Sequence, residues 1–191
     1  MDYHKIEMYT AFYLEKDQAA ICGVAFKHGA KMKLQLMPCP NGDYLNGLLA
    51  LLTNALQPLK SREDDWRLHL NVHVHHKNTN FLKVLTKVNR AADTARNYEP
   101  AFRENIIKGV LTRKDYKRPN CYEKMAELAR LMVDLNEPDY RVTLSTCGDS
   151  KGRDQVAVYT ACLGAWNDLK SATDAVAVNT AEPVAETSEL G

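Results

Sequence analysis

The sequence predicts an α/β domain: a five-stranded mixed sheet, three antiparallel strands followed by two further strands, flanked by helices. Three observations carry this reading. Three apolar or alternating runs follow one another at short intervals in the first forty residues. The segment WRLHLNVHVHH alternates apolar and polar residues from Trp66 to His75. Between and after the later strands, apolar residues recur at three- and four-residue steps, the spacing of helices laid against a sheet.

The elements follow in order. Ile6 to Leu14 reads as a strand that ends at the polar turn EKDQ. Ala19 to Phe26 (AAICGVAF) is a second strand, apolar throughout, and the turn KHGA leads to a third, KMKLQLM, in which Met32, Leu34 and Leu36 alternate with Lys31, Lys33 and Gln35. Such short connections fit an antiparallel meander. Pro38, Pro40, Asn41 and Gly42 break the pattern, and Asn41 or Asp43 is placed to cap the helix that follows. Tyr44, Leu48, Leu52, Ala55, Leu56 and Leu59 form its apolar stripe, with Pro58 near its end. In the fourth strand Leu68, Leu70, Val72 and Val74 point one way, and His69, Asn71, His73 and His75 the other. A helix starts near Thr79, with Phe81, Leu82, Leu85, Val88 and Ala92 on one side. Pro100 interrupts it, and AFRENIIKGVL is a second short helix. After the basic connection LTRKDYKRP, Asn120 and Glu123 make a capping-box pattern for the helix CYEKMAELARLMVDL. YRVTLST is the last strand. The final helix starts near Asp154, with Val156, Tyr159, Leu163 and Trp166 on one face.

Bulk properties narrow the class. The chain has 191 residues, 45% hydrophobic and 26% charged, enough for one sizeable core. The formal net charge of +1 hides an asymmetry: four acidic and no basic residues follow Lys170, which leaves the first 170 residues at +5. The expected division is therefore a domain over 1–170 and a disordered acidic tail over 171–191. Five scattered cysteines without a CxxC pair fit a reducing compartment better than a disulfide framework. The N-terminus is too charged for a signal peptide, and the longest apolar run, YLNGLLALL, is too short to span a bilayer. A cytoplasmic protein without a membrane partner is expected.

HKIEMYTAFY, PNGDYLNGLLALLTNAL, KRPNCYEKMAELARLM and TLSTCGDSKGRDQVAVYTACLGAWNDL, in this β-β-β-α-β-α-α-β-α order, resemble the ribonuclease H family over roughly residues 4 to 170. The resemblance implies a ribonuclease H-like fold and, in the family, cleavage of the RNA strand of an RNA–DNA hybrid by two magnesium ions held on converging carboxylates. Carried over position by position, the family's strand-one Asp matches Ala11, and its helix Glu matches Leu45 or Asn46, with Asp43 one turn earlier. The strand-four Asp matches His75 or His76, and the last Asp matches Asp154 or Gln155. The family's mobile-loop His falls near Asp149. With at least three of four carboxylates missing, the resemblance implies the fold and argues against the activity: no catalytic residue, no metal and no cofactor is expected.

His69, His73, His75 and His76 form a cluster in which His73 and His75 share a strand face about 7 Å apart with His69 also on it, readable as zinc ligands or as a polar strand face. Cys147, with Asp149 nearby, reads as a loop thiol more readily than as a nucleophile. GxGxxG, P-loop, HExxH and GxSxG patterns are absent. The nucleic-acid candidate is the basic set Lys108, Arg113, Lys114, Lys117 and Arg118 with Tyr116 inside it: the cations neutralise phosphates and the ring can stack on a base. The expected function is thus that of a catalytically inactive ribonuclease H-like domain, a pseudoenzyme binding duplex, hybrid or structured RNA through this loop. One alternative is a protein–protein accessory module of a viral or mobile-element kind. Another is a nuclease with altered ligands, using Asp43, Asp154 and the strand-four histidines.

Overall fold

The computed structural model describes residues 4–15, 19–40, 42–62, 66–75, 78–112, 119–137, 139, 141–150 and 152–180. Its elements are β1 (His4–Glu15), β2 (Ala19–His28), β3 (Lys31–Pro40), α1 (Tyr44–Leu56), β4 (Leu68–His75), α2 (Thr79–Arg96), α3 (Pro100–Val110), α4 (Pro119–Leu135), β5 (Val142–Ser150) and α5 (Arg153–Thr180). The strands and helices come in the order read from the sequence, with three helices, α2, α3 and α4, between β4 and β5 where the β-β-β-α-β-α-α-β-α order has two.

The strands form one sheet in the order β3-β2-β1-β4-β5. β2 runs antiparallel to β1 and β3, while β4 pairs parallel with β1 and β5 parallel with β4. Each parallel step needs a crossover, which α1 supplies between β3 and β4 and α2 to α4 supply between β4 and β5. The β2–β3 connection is a tight hairpin turn. Gly29 stands there at φ 59°, a left-handed conformation that an L side chain resists.

Alternation decides which face each helix covers. Leu68, Leu70, Val72 and Val74 of β4 are buried together with Met8 of β1 under α1, α2 and α4. Leu48, Leu52, Phe81, Leu85, Met125 and Leu128 are among the fully buried side chains there, each worth about 1.5–3 kcal/mol relative to exposure. α5 lies on the other face, over β1 and β2, where Ala11, Ile21, Ala25, Val158 and Cys162 form a second, smaller cluster. It approaches so closely at Gly23 that an added Cβ would stand 2.6 Å from Cys162 Sγ.

Local signals behaved as their physics dictates, with several differences. β5 runs past the expected end through Cys147 to Ser150, so Cys147 pairs with His73 in the sheet rather than sitting in a loop. α4 starts at Pro119, one residue before the Asn120 expected to cap it, because Pro fits the first turn of a helix. Met32, Leu34 and Leu36 alternate as expected but are 44%, 39% and 39% exposed, because α5 covers β1 and β2 more than the edge strand β3. That strand also continues through Pro38 to Pro40, since an edge strand has a side that needs no N–H donor. Asp43 precedes α1 but makes no side-chain cap, and Asn41 lies outside the described residues. Finally, α5 continues ten residues past Lys170 to Thr180, into the segment expected to be a disordered tail. SATDAVAVNT contains no Gly or Pro to stop it; residues 181–191 lie outside the described residues.

Candidate functional site

The α5 face of the sheet holds the polar side chains the main core excludes. Register puts Glu7 between Lys27 and Asn71, and Tyr9 between Ala25 and His73. It also sets Asn71 beside Ser145, and His73 beside Cys147. Because α5 covers β1 and β2, the strip on β4 and β5 stays half-exposed.

Counting donors and acceptors along this strip shows how it is used. Thr143 Oγ1 lies 2.8 Å from His69 Nδ1, and Ser145 Oγ lies 3.1 Å from His69 Nε2. Ser145 Oγ also donates to Asn71 Oδ1 at 3.0 Å, so its oxygen is left to accept from His69 Nε2–H, and Thr143 donates to His69 Nδ1. Asn71 Nδ2 donates to Glu7 Oε2 at 2.9 Å, and His73 Nε2 pairs with the same oxygen. Two donors thus converge on Glu7, and the 3.4 Å approach of Asn71 Nδ2 to His73 Nε2 is contact between donors rather than a bond. The Cys147 thiol donates to Asn71 Oδ1 at 3.2 Å. Cys147 is therefore bonded to an amide and not to an imidazole base, which removes the geometry a nucleophile needs.

The histidines expected to be able to share a metal are dispersed. His69 is held by Thr143 and Ser145, and His73 pairs with Glu7 and stacks on Tyr9 at 4.6 Å. His75 is buried and stacks on Tyr159 of α5 at 5.1 Å and 9°. His76 and the side chain of Asp149 lie outside the described residues. Among the described residues no three of His, Cys, Asp and Glu are grouped so as to hold a metal ion.

The four positions drawn from the family pattern divide between the two faces. Ala11 is fully buried against α5 with Val158 and Cys162, and the Cys162 thiol faces its carbonyl at 3.8 Å. Gln155, also fully buried, donates from Nε2 to the Thr10 carbonyl at 2.6 Å. Asp154 accepts from Lys27 Nζ at 2.5 Å and from the Tyr9 hydroxyl. That ammonium, first, holds the Asp154 carboxyl below the usual range, and the carboxylate in turn raises Lys27. Burial, and next the Asp154 charge, push the Tyr9 phenol up. On the opposite face, Leu45 belongs to the main core, Asn46 Nδ2 donates to Asp43 Oδ2 at 2.6 Å, and Tyr44 stacks on Phe12 at 4.0 Å. Tyr9, Lys27 and Glu7 had escaped the sequence reading. The available signal was a charge at each end of an apolar strand segment, but only the register shows what each meets.

Of the expected nucleic-acid residues, Lys108 lies in the last turn of α3 and pairs with Glu104 at 3.0 Å. Glu104 also takes both Nε and Nη2 of Arg130, at 2.6 and 2.8 Å, tying α3 to α4. Arg130 first, then Lys108, draw the Glu104 carboxyl down to about 2. Arg113, Lys114, Tyr116, Lys117 and Arg118 lie outside the described residues, between α3 and α4.

A sheet in the order β3-β2-β1-β4-β5 with only β2 reversed, helices on both faces and the last helix across β1, defines the class: this is a ribonuclease H-like fold. No family model and no curated protein matches the sequence. Among solved structures, a foamy viral protease-reverse transcriptase in complex with an RNA/DNA hybrid is similar at 8% identity and a TM-score of 0.49 over 85% of this chain. This chain spans 20% of that one. LC11-RNase H1 in complex with an RNA/DNA hybrid is similar at 16% identity and a TM-score of 0.43, over 82% of this chain and 95% of that one. Among the described residues no helix is long and apolar enough to cross a membrane.

Proposed function

We propose that this ribonuclease H-like domain binds nucleic acid and does not cleave it by the family's two-metal route. The observation that carries this reading is the chemistry at Ala11. A pair of magnesium ions needs several oxygen donors converging on one spot. Here the central strand offers a methyl group packed on Val158 and Cys162. The carboxylate at the start of α5 already holds an ammonium ion at 2.5 Å. These residues do not fit two divalent cations, and no hydrolytic step is derived from them.

Phosphate binding has weaker requirements, since distributed Lys and Arg suffice without any carboxylate. The segment Arg113, Lys114, Tyr116, Lys117 and Arg118 supplies four cations against the single Asp115, with an aromatic ring among them, next to Lys108. This supports binding through the α3–α4 connection to a duplex, an RNA–DNA hybrid or structured RNA.

Fluorescence anisotropy with labelled RNA–DNA hybrid, duplex RNA and duplex DNA, in Mg²⁺ at two salt concentrations, tests the proposal. Expected are salt-sensitive binding without cleavage and about a tenfold loss of affinity in Lys114→Glu/Lys117→Glu. Cleavage that disappears in Asp154→Asn, or wild-type protein that binds none of the three, overturns it.

A further inference from the structure

At the hairpin end of the sheet, on the face that carries the main core, lies a depression of about 260 Å³. Ile6 and Phe26 line it together with Met32, and His28, Lys31 and Lys33 complete the lining. The register explains the arrangement. Lys33 stands directly opposite Phe26, and Lys31 opposite His28, so the lysines rise on the face where Ile6 and Phe26 are only half-buried. The two lysines stand about 7 Å apart along the strand. Among the described residues, no acidic side chain lines the depression. Several other cations in the described residues are paired with carboxylates: Lys27 with Asp154, Lys60 with Asp134, Arg103 with Glu137, Lys108 and Arg130 with Glu104, and Lys124 with Glu127. Lys31 and Lys33 are exposed and meet no carboxylate among the described residues.

An apolar floor under unneutralised cations selects a ligand with a flat apolar body and a negative charge. A depression of this volume fits about one planar ring system. We infer that this depression takes one nucleotide unit of a single strand. The base lies against Phe26 and Ile6, and phosphates on either side of it meet Lys31 and Lys33. Stacking on an aromatic side chain tolerates every base, and the lysines read only charge, so the site discriminates strandedness rather than sequence. A paired base inside a duplex cannot enter it. The inference rests on the nucleic-acid reading above but uses a different surface, and it assigns that surface the single-stranded part of a substrate.

The test compares three proteins on two ligands. Wild type, Lys31→Glu/Lys33→Glu and Lys114→Glu/Lys117→Glu are titrated against a short labelled oligouridylate and against labelled RNA–DNA hybrid. Expected is about a tenfold loss for the oligouridylate in Lys31→Glu/Lys33→Glu, with less than about a twofold change for the hybrid. The conservative Phe26→Leu variant should weaken oligouridylate binding about fivefold while leaving its salt dependence alone, because it removes a stacking face and no charge. Amide chemical shifts of Phe26, His28 and Lys31 should move on titration with uridine monophosphate. If wild type binds the hybrid and Lys114→Glu/Lys117→Glu weakens it, yet Lys31→Glu/Lys33→Glu leaves oligouridylate affinity unchanged, the inference fails alone. Shifts at these amides with laurate but not with the nucleotide also overturn it. Wild type that binds neither nucleic acid sinks both readings.

Discussion

Lys27 shows how one residue can change what a carboxylate is for. Its ammonium sits 2.5 Å from Asp154 and supplies the charge that a metal ion would otherwise supply. The Asp154 carboxyl is depressed, so its favourable contact is present above the pKa of an unfolded aspartate, about 3.9, and is lost as pH falls through the lower folded value. Both groups are solvent-accessible, and the pair is a modest contributor at neutral pH. Carbon-detected NMR of Lys27→Met should show the Asp154 carboxyl titrating closer to an ordinary aspartate. Urea midpoints for the variant and wild type should converge as pH is lowered below about 4. An Asp154 titration unmoved by the substitution would mean that the Tyr9 hydroxyl and the backbone, not Lys27, set its charge state.

At the scale of elements, β4 was fully legible, because strict alternation over eight residues admits one assignment of faces and one face of this sheet is deeply buried. β3 was legible as a strand but not as to covering. Alternation gives two faces and is silent on where a helix more than a hundred residues away will lie, so Met32, Leu34 and Leu36 ended on a face that α5 leaves exposed. The Ala11 position was legible as a missing donor, whereas its apolar lid required the approach of Val158 and Cys162. The link at Asn136 was not legible at all. This buried residue lies just past the end of α4, and its Oδ1 accepts from the backbone N–H of both Arg141 and Val142, fixing the start of β5. Asn78, by contrast, caps α2 through a single 3.3 Å bond to the Phe81 N–H. Leaving a buried amide without its acceptor costs about 1–3 kcal/mol, and losing a cap about 1 kcal/mol. Urea denaturation should therefore find Asn136→Ala the more destabilised of the two. Equal losses would show that water replaces the Asn136 carbonyl at the β5 start.

At the scale of the whole molecule, the first 170 residues carry a net +5, and among the described residues Lys27, Lys60, Arg103, Lys108, Lys124 and Arg130 are paired with carboxylates. Two clusters fall outside that accounting: the segment 113–118, and the hairpin lysines at Lys31 and Lys33. They belong to separate elements, one between α3 and α4 and the other on the edge strand β3. Binding to a substrate with a duplex and a single-stranded overhang then has a distinctive salt signature. Each phosphate contact contributes about 0.9 to the log–log salt slope in duplex and about 0.7 in a single strand. On such a junction, Lys114→Glu/Lys117→Glu should lower the slope by about 1.8 and Lys31→Glu/Lys33→Glu by about 1.4, with the double combination losing the sum. On a blunt duplex only the first pair should count. Equal slopes for wild type and both variants on the junction would mean that neither cluster touches phosphate, whatever the affinity. A loss in the combined variant no larger than in one pair alone would mean that the two surfaces do not engage one nucleic acid at the same time.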